Sequence, residues 1–211
     1  MINKNTEIYC SFSSNPGNNG CVFFNKAFKK KNINAIYKSF YSNDIYESIK
    51  AVKSLGIKGF AVSMPFKIKI IEYLDKLDSS VLTIGAVNTV INDNGYLIGY
   101  NTDYLAAKEL LDECLGVDLY ILGNGGYSRA VKQGAEELGY HPNIITRKNW
   151  DSIKKIKNSI IFNCTPVDSI KFHYSNKFID CITSTETGKR LSLLQASHQF
   201  KLYTGEDYEI S

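Results

Sequence analysis

Long apolar runs, paired-cysteine motifs, internal repeats and low-complexity tracts are all missing from this chain of 211 residues. No stretch approaches the roughly 20 apolar residues that a membrane-spanning helix requires. The N-terminus carries Asn3, Lys4, Asn5 and Glu7 where a secretory signal would need an apolar core. A soluble, cytoplasmic protein with no membrane partner is the expectation. Five cysteines, at positions 10, 21, 114, 164 and 181, make an odd number with no Cys-x-x-Cys spacing. Neither a disulfide framework nor a zinc site is indicated, and reduced thiols are expected. His141, His173 and His198 have no metal-ligand spacing, so no metal is expected. Concentrated positive charge is also scarce: the net charge is +4, and Lys29-Lys30-Lys31 is the one tight basic run. An apolar stretch follows it almost at once, which reads as a solvated helix end and not as a nucleic-acid surface.

What is present is ordinary for a globular chain: 44% hydrophobic and 22% charged residues, with enough length for one large domain or two small ones. Glu7 to Phe12 reads as a strand, and Ser13 to Gly20 is dense in turn formers. Cys21 to Lys31 has helical spacing, and Ala35 to Phe40 is strand-like. Asp44 to Leu55 places Ile45, Ile49, Val52 and Leu55 on one helical face, ended by Gly56. Gly59 to Val62 completes a strand–helix–strand–helix–strand order, which implies parallel pairing. Pro65 suits the first turn of a helix, predicting one that runs from there to about Asp75 and carries Lys67 in its opening turn. Asn94-Gly95 signals a hairpin between Val87–Asn92 and Tyr96–Gly99. Beyond it the pattern predicts a helix from about Thr102 to Cys114 and a strand at Val117–Leu122. A helix at Ser128–Leu138, a strand at Asn143–Thr146, a short helix near Asp151–Ile156 and a strand at Ser159–Asn163 follow.

The second strand group runs into Gly123-Asn124-Gly125-Gly126-Tyr127-Ser128. Gly123 allows a tight turn, Gly125 lets the backbone approach a pyrophosphate, and Gly126 opens a helix whose amides receive the anion. Ser128 stands where the usual fingerprint has a third spaced glycine, so the match is imperfect. Strand before, helix after and a strand some twenty residues on support a dinucleotide site. That later strand ends in Thr146-Arg147-Lys148, with no carboxylate to hold ribose hydroxyls. A guanidinium suits a 2′-phosphate, so NADP is favoured over NAD. Two surface cations after a strand is the competing reading.

Lys67 and Asp103 precede this loop. Reducing a ketone by hydride builds negative charge on oxygen, which a lysine ammonium can stabilise and protonate while a carboxylate orients it. Taken singly, such a Lys is as readily a solvated charge and such an Asp a helix cap.

The ordered runs Val62-Ser63-Met64-Pro65-Phe66-Lys67, Ala86-Val87-Asn88-Thr89 and Gly99-Tyr100-Asn101-Thr102-Asp103, ahead of Gly123-Asn124-Gly125-Gly126, resemble shikimate dehydrogenases. Asn163-Cys164-Thr165-Pro166, and Gly188 with Leu191, Leu194, Gln195 and Ala196, are similar to that family's later motifs. The resemblance covers nearly the whole chain. It implies an α/β fold of two lobes: an N-terminal α/β substrate domain and a shortened Rossmann-type NADP-binding domain. The boundaries expected are 1–101 for the substrate domain, with a C-terminal helix 189–211 packing back on it, and 102–188 for the dinucleotide domain. It further implies that Lys67 and Asp103 form the catalytic pair and that Ser63, Asn88 and Gln195 contact substrate hydroxyls. NADP would be held by Gly123, Asn124, Gly125, Gly126, Tyr127, Arg147 and Lys148, with Thr165, Gly188 and Leu191 by the nicotinamide. The family usually has Met where Leu191 stands.

Two departures stand out. The family grips the substrate carboxylate with a Ser-x-Ser pair, and counting back from Phe24-Asn25 those positions are Asn18 and Gly20. Ser11 and Ser13 lie upstream as possible substitutes. This region is closer to the shikimate dehydrogenase-like branch of the family. Second, Asn163 to Gln195 spans only thirty-two positions (195 minus 163), shorter than the family's interval. A strand, a crossover helix and a substrate-side tyrosine are expected to be missing there. The expected function is NADP-dependent, reversible reduction of 3-dehydroshikimate to shikimate, in aromatic amino acid biosynthesis. Quinate or another polyhydroxy acid is the alternative substrate. A catalytically weak nucleotide- or metabolite-binding homologue is the third reading. Beyond a small-molecule substrate the only partner foreseen is a second copy, as monomer and homodimer remain open.

Overall fold

The structure, a computed structural model, describes residues 2–114 and 116–209. The last two positions of the expected C-terminal helix, 210 and 211, lie outside the described residues. The chain divides into two units, residues 1–102 with 196–211, and residues 103–195.

In the first unit, strands β1 (Glu7–Ser13), β2 (Ala35–Tyr41) and β3 (Gly59–Val62) are joined by helices α1 (Asn19–Lys30) and α2 (Ile45–Leu55). β1 pairs in parallel with both β2 and β3. Further along lie β4 (Lys76–Leu77), α3 (Ser79–Ile84), β5 (Thr89–Asp93) and β6 (Tyr96–Tyr100). The sheet order is β2-β1-β3-β5-β6-β4, with β5 antiparallel to β3 and to β6. The period-two alternation of β1 decides which side each residue serves. Cys10 and Phe12 enter the core that α2 closes with Ile45, Ile49 and Val52. Tyr9 enters the aromatic core on the opposite face, among Phe24, Phe28, Tyr37 and Phe200.

The local signals account for most of the boundaries. Asp44 caps α2 by accepting a hydrogen bond from the Tyr46 amide at 2.9 Å, and Gly56 ends the helix at φ 64°. The hairpin turns on Asn94 and Gly95, at φ 52° and 96°, as a twist-matched two-residue turn requires.

The expected helix from Pro65 to Asp75 is not there. Residues 64–68 form turns, and only Lys69–Tyr73 makes a short 3-10 helix. The Phe66 amide closes a turn onto the Ser63 carbonyl at 2.9 Å, which aims the Phe66 ring into the core. A continuous helix would carry that ring away. Lys67 is therefore presented by a turn. In this unit the sequence does not predict β4, two residues long, or α3, six residues long. Both are too short to show a periodicity.

The second unit contains α4 (Asp103–Asp112), β7 (Leu119–Leu122), α5 (Gly126–Glu137), β8 (Asn143–Ile145), β9 (Ile160–Asn163), β10 (Lys177–Asp180) and the first half of α6 (Glu186–Thr204). Its sheet, β10-β9-β7-β8, is wholly parallel. The segment 164–176 between β9 and β10 contains no helix. β10 itself is a strand that the sequence reading had not placed. Residues 196–204 of α6 belong with the first unit, where Ala196, Phe200 and Tyr203 complete the aromatic core. Among the described residues no helix is long and apolar enough to cross a membrane.

Gly134 shows how closely α4 and α5 approach. A Cβ added there would lie 2.6 Å from the Tyr104 carbonyl oxygen and 3.2 Å from the Lys108 amide nitrogen. Gly→Ala in an open helix gains about 1 kcal/mol, but here the neighbours are backbone and cannot swing aside. Overpacking of this kind costs about 1–3 kcal/mol. Gly134→Ala is accordingly expected to lower the thermal midpoint by several degrees, roughly 2–4 °C per kcal/mol at this size; a raised midpoint in a calorimetric scan would contradict the packing described.

Candidate active site

In the first unit the expected substrate residues gather where β1 and β3 end. The Ser63 amide bonds to the Phe12 carbonyl at 3.1 Å, and the Ser14 amide to the Met64 carbonyl at 3.4 Å. These bonds bring the end of β1, with Ser13, beside the turn that carries Ser63 and Lys67. The Val62 amide donates to the Asn88 carbonyl and the Val87 amide to the Lys67 carbonyl, both at 2.8 Å. Lys67 and Asn88 are thus tied to one strand end by main-chain bonds on either side. Ser63 is exposed, Lys67 half-buried and Asn88 fully buried.

Asn88 sits in a web of buried polar side chains. Its Oδ1 accepts from the Thr89 hydroxyl at 2.8 Å and from the Thr102 amide at 2.8 Å, while its Nδ2 donates to Thr102 Oγ1 at 3.0 Å. Gln199, from α6, donates to Thr89 Oγ1 at 2.8 Å and to the Asn88 carbonyl at 3.2 Å. Asn101 donates to the Ala86 carbonyl at 2.9 Å. Every one of these groups is hydrogen-bonded, as burial demands. Gln199 escaped the sequence reading. Its signal was there: it lies three residues after Ala196 and four before Tyr203, a polar side chain within the buried stripe of a helix.

Of the residues considered for a carboxylate, Ser11 and Ser13 share one face of β1, Asn18 is exposed ahead of α1, and Gly20 lies inside α1. The Ser13 hydroxyl accepts from the Asn15 amide at 2.9 Å. A Cβ at Gly20 would fall 2.9 Å from Tyr37 Cε1 and 3.4 Å from its hydroxyl oxygen. A serine there would have to displace the buried Tyr37 ring, so the glycine and the tyrosine go together. Burial pushes the Tyr37 hydroxyl up, and a hydrogen bond with Ser11 opposes it.

In the second unit the expected cofactor residues cluster beyond the carboxyl ends of parallel strands. Gly123, after β7, has φ 107°, and its added Cβ would be 3.1 Å from Thr165 Cγ2 after β9. The Gly123 amide donates to the Ile145 carbonyl of β8 at 2.8 Å, drawing in the segment with Arg147 and Lys148, both exposed. Gly125 is the N-cap of α5, with no side-chain capping bond; Asn124 beside it is exposed. The first turn of α5 is therefore not covered by a side chain of its cap, as an anion site at a helix N-terminus requires. Ser128, in place of a glycine, turns its hydroxyl back to the Gly125 carbonyl at 2.8 Å and braces the loop.

Thr165 is oriented by Asn163, whose Oδ1 accepts from its amide at 2.9 Å and its hydroxyl at 2.7 Å. Gly188 is buried against the Ile182 carbonyl, where no Cβ fits. Leu191 lies in the apolar core of this unit with Ala106 and Leu110. Gln195 is half-buried on α6. Asp103 opens α4, is 3% exposed and follows Thr102 directly in the chain. Tyr127, on α5, has its hydroxyl pushed well up, chiefly by burial and then by Cys164 and Asp103 nearby. A phosphate-bearing dinucleotide fits what this edge offers: a glycine turn, an N-terminus left uncovered, and the exposed cations Arg147 and Lys148 in place of a carboxylate directly after β8.

The substrate-binding domain of shikimate dehydrogenase matches residues 20–90. A shikimate dehydrogenase-like protein of Haemophilus influenzae is 31% identical over 251 aligned residues, covering 97% of this chain and 93% of that protein. The chain belongs to the shikimate dehydrogenase family. A shikimate dehydrogenase (NADP(+)) of Pyrococcus furiosus is 40% identical over 151 residues, covering 69% of this chain. The match spans about half of that relative's length, 54%. Among solved structures, a shikimate 5-dehydrogenase-like protein has a TM-score of 0.86 at 31% identity, covering 99% of this chain and 95% of its own. A shikimate dehydrogenase in complex with NADP+ has a TM-score of 0.79 at 27% identity, covering 98% and 93%. A two-lobed α/β chain with a Rossmann-type second unit is the fold of this family, as its motifs led us to expect.

Gly125 separates binding from folding. Its φ of −94° suits alanine, and nothing lies within 4 Å of an added Cβ. Gly125→Ala should change stability by no more than about 0.5 kcal/mol while weakening NADPH binding by on the order of tenfold, through a methyl in the path of the pyrophosphate. Titration calorimetry showing unchanged affinity would remove Gly125 from the cofactor loop.

Proposed function

We propose that this chain is an NADP-dependent dehydrogenase that interconverts a ring ketone and its alcohol, with 3-dehydroshikimate and shikimate as the reference pair. The observation that carries the proposal is the pair of 2.8 Å main-chain bonds that lock the Lys67 turn and Asn88 to one strand end. They hold the backbone of Lys67 against that of Val87, next to Asn88, so one strand end carries both a lysine and an amide, the residue types that recognition and protonation of a hydroxylated ring require. The names of the relatives, which include NADP(+)-dependent shikimate dehydrogenases and an NADP+ complex, support the choice of cofactor and reaction.

NADPH, when bound, supplies the hydride. Gly123, Asn124, Gly125, Gly126 and Tyr127 would hold it, with Arg147 and Lys148 at the 2′-phosphate and Thr165, Gly188 and Leu191 toward the nicotinamide. Lys67 stabilises the negative charge growing on the ketone oxygen and gives that oxygen its proton. Asp103, the carboxylate of the proposed catalytic pair, accepts from a ring hydroxyl. Ser63, Asn88 and Gln195 fix the ring through its hydroxyls.

A second reading changes only the substrate, to quinate or another polyhydroxy acid. The observation that favours it is Gly20: the carboxylate-binding serine of the family resemblance is absent, and the Tyr37 ring fills the space that its Cβ would need. Ser11, Ser13 and Asn18 remain nearby as alternative donors.

Lys67→Ala is expected to lower kcat by roughly 10²–10⁴-fold, the range general acid catalysis supplies, with NADPH binding retained. Full turnover in that variant would defeat the proposal. Arg147→Ala should raise KM for NADPH by roughly ten- to a hundredfold, as loss of charge-assisted bonds implies, and leave KM for NADH unchanged. Equal effects on both cofactors would mean that Arg147 does not meet the 2′-phosphate. A panel of shikimate, quinate and related acids decides between the two substrate readings through relative kcat/KM.

A further inference from the structure

Gln199 is a costly residue to place where it lies. It is 2% exposed, on a helix whose neighbouring side chains Ala196, Phe200 and Tyr203 are apolar core. Burying an amide is unfavourable unless its polar atoms are bonded, and a leucine or methionine would meet the packing requirement without that cost. Its Nε2 donates twice to the same motif: to Thr89 Oγ1 at 2.8 Å and to the Asn88 carbonyl at 3.2 Å.

The direction of each proton follows from what these groups can do. The Gln199 amide donates to Thr89 Oγ1, so the Thr89 hydroxyl turns its own proton to Asn88 Oδ1 at 2.8 Å. The Thr102 backbone amide, which can only donate, also meets Oδ1 at 2.8 Å. Rotating the Asn88 amide by half a turn would set its NH2 against two donors. Its Oδ1 therefore faces these donors, and its Nδ2, bonded to Thr102 Oγ1 at 3.0 Å, is fixed as the donor edge.

We infer that Gln199 is a positioning residue for Asn88: it sets the Thr89 hydroxyl so that Asn88 presents its Nδ2 as a hydrogen-bond donor to a ring hydroxyl. This rests on the reading of Asn88 as a substrate contact, and it adds a group from α6 to the determinants of substrate recognition. The relay runs Gln199 to Thr89 to Asn88. Removing Gln199 frees the Thr89 proton to turn elsewhere, so Asn88 Oδ1 loses one of its two short donors and keeps the Thr102 amide at 2.8 Å and the longer contact from the Thr102 hydroxyl at 3.3 Å. Lys67 and the cofactor loop are not part of the relay.

The test compares Gln199→Met, which keeps length and apolar packing, with Thr89→Val, an isosteric cut in the relay, each alone and combined with Asn88→Ala. Steady-state kinetics with shikimate and NADP+ are read with the thermal midpoint. Gln199→Met and Thr89→Val should each raise KM for shikimate by roughly three- to tenfold, as loss of one net hydrogen bond implies. KM for NADP+ should stay within about twofold. On the Asn88→Ala background neither change should raise KM further. A purely structural role for Gln199 would lower the midpoint and leave KM for shikimate where it was, or act equally on both backgrounds; either result overturns the inference. Should Gln199→Met not fold, Thr89→Val and its double variant decide the matter alone. If Asn88→Ala raises KM and the relay variants do not, the inference fails and the substrate reading of Asn88 stands. If Asn88→Ala leaves KM unchanged, both fall.

Discussion

Parallel strand pairing is the constraint on which the rest of this structure depends. Strands that run the same way must be joined by crossovers, so all their carboxyl ends emerge on one edge. In the second unit this gathers the loops after β7, β8, β9 and β10, and with them Gly123 to Tyr127, Arg147, Lys148, Thr165 and the approach to Gly188. In the first unit the same rule brings the ends of β1 and β3 together. The antiparallel return of β5 then delivers Asn88 to that edge from the other direction. Residues some seventy-five positions apart, such as Ser13 and Asn88, become neighbours of one strand end through backbone geometry.

The two units stabilise their edges by different means. The first relies on buried side-chain hydrogen bonds, with Asn88, Thr89, Thr102 and Gln199 bonded to one another and Asn101 to the Ala86 carbonyl in a water-poor interior. Such a web is rigid because each unmade bond would leave an unpaired polar group. The second relies on glycine: the turn at Gly123, the open backbone at Gly125 and the close approaches at Gly134 and Gly188. Glycine leaves room for backbone or ligand where a side chain would stand, and Ser128 then braces the loop. An anion-binding edge needs exposed amides, whereas an edge that recognises hydroxyls needs oriented side chains.

Much of this was legible from local chemistry. The Asp44 cap, the Gly56 stop, the Asn94-Gly95 turn and the alternation along β1 are signals that act over a few residues, and the elements followed them. Failures came where a distant partner decided the outcome. Pro65 is a good helix starter, yet the turn from Ser63 to Phe66 prevailed because Phe66 is drawn into a core built by α2 and β3. β4 and α3 are too short for any period to show. β10 exists because β9 offers it a parallel edge.

For the site, residue types in order along the chain were enough to nominate Lys67, Asn88, Asp103 and the glycine loop, since each carries its chemistry in its side chain or in the lack of one. Sequence by itself determined the inventory: an ammonium, a carboxylate, amides, a glycine turn and two cations in place of an acid. Tertiary structure alone decided which of these share an edge, that Asn88 is oriented by Gln199 from a helix more than a hundred residues away, and that Tyr37 fills the space beside Gly20. The physical reason is that main-chain pairing and burial act between residues with no fixed separation along the chain.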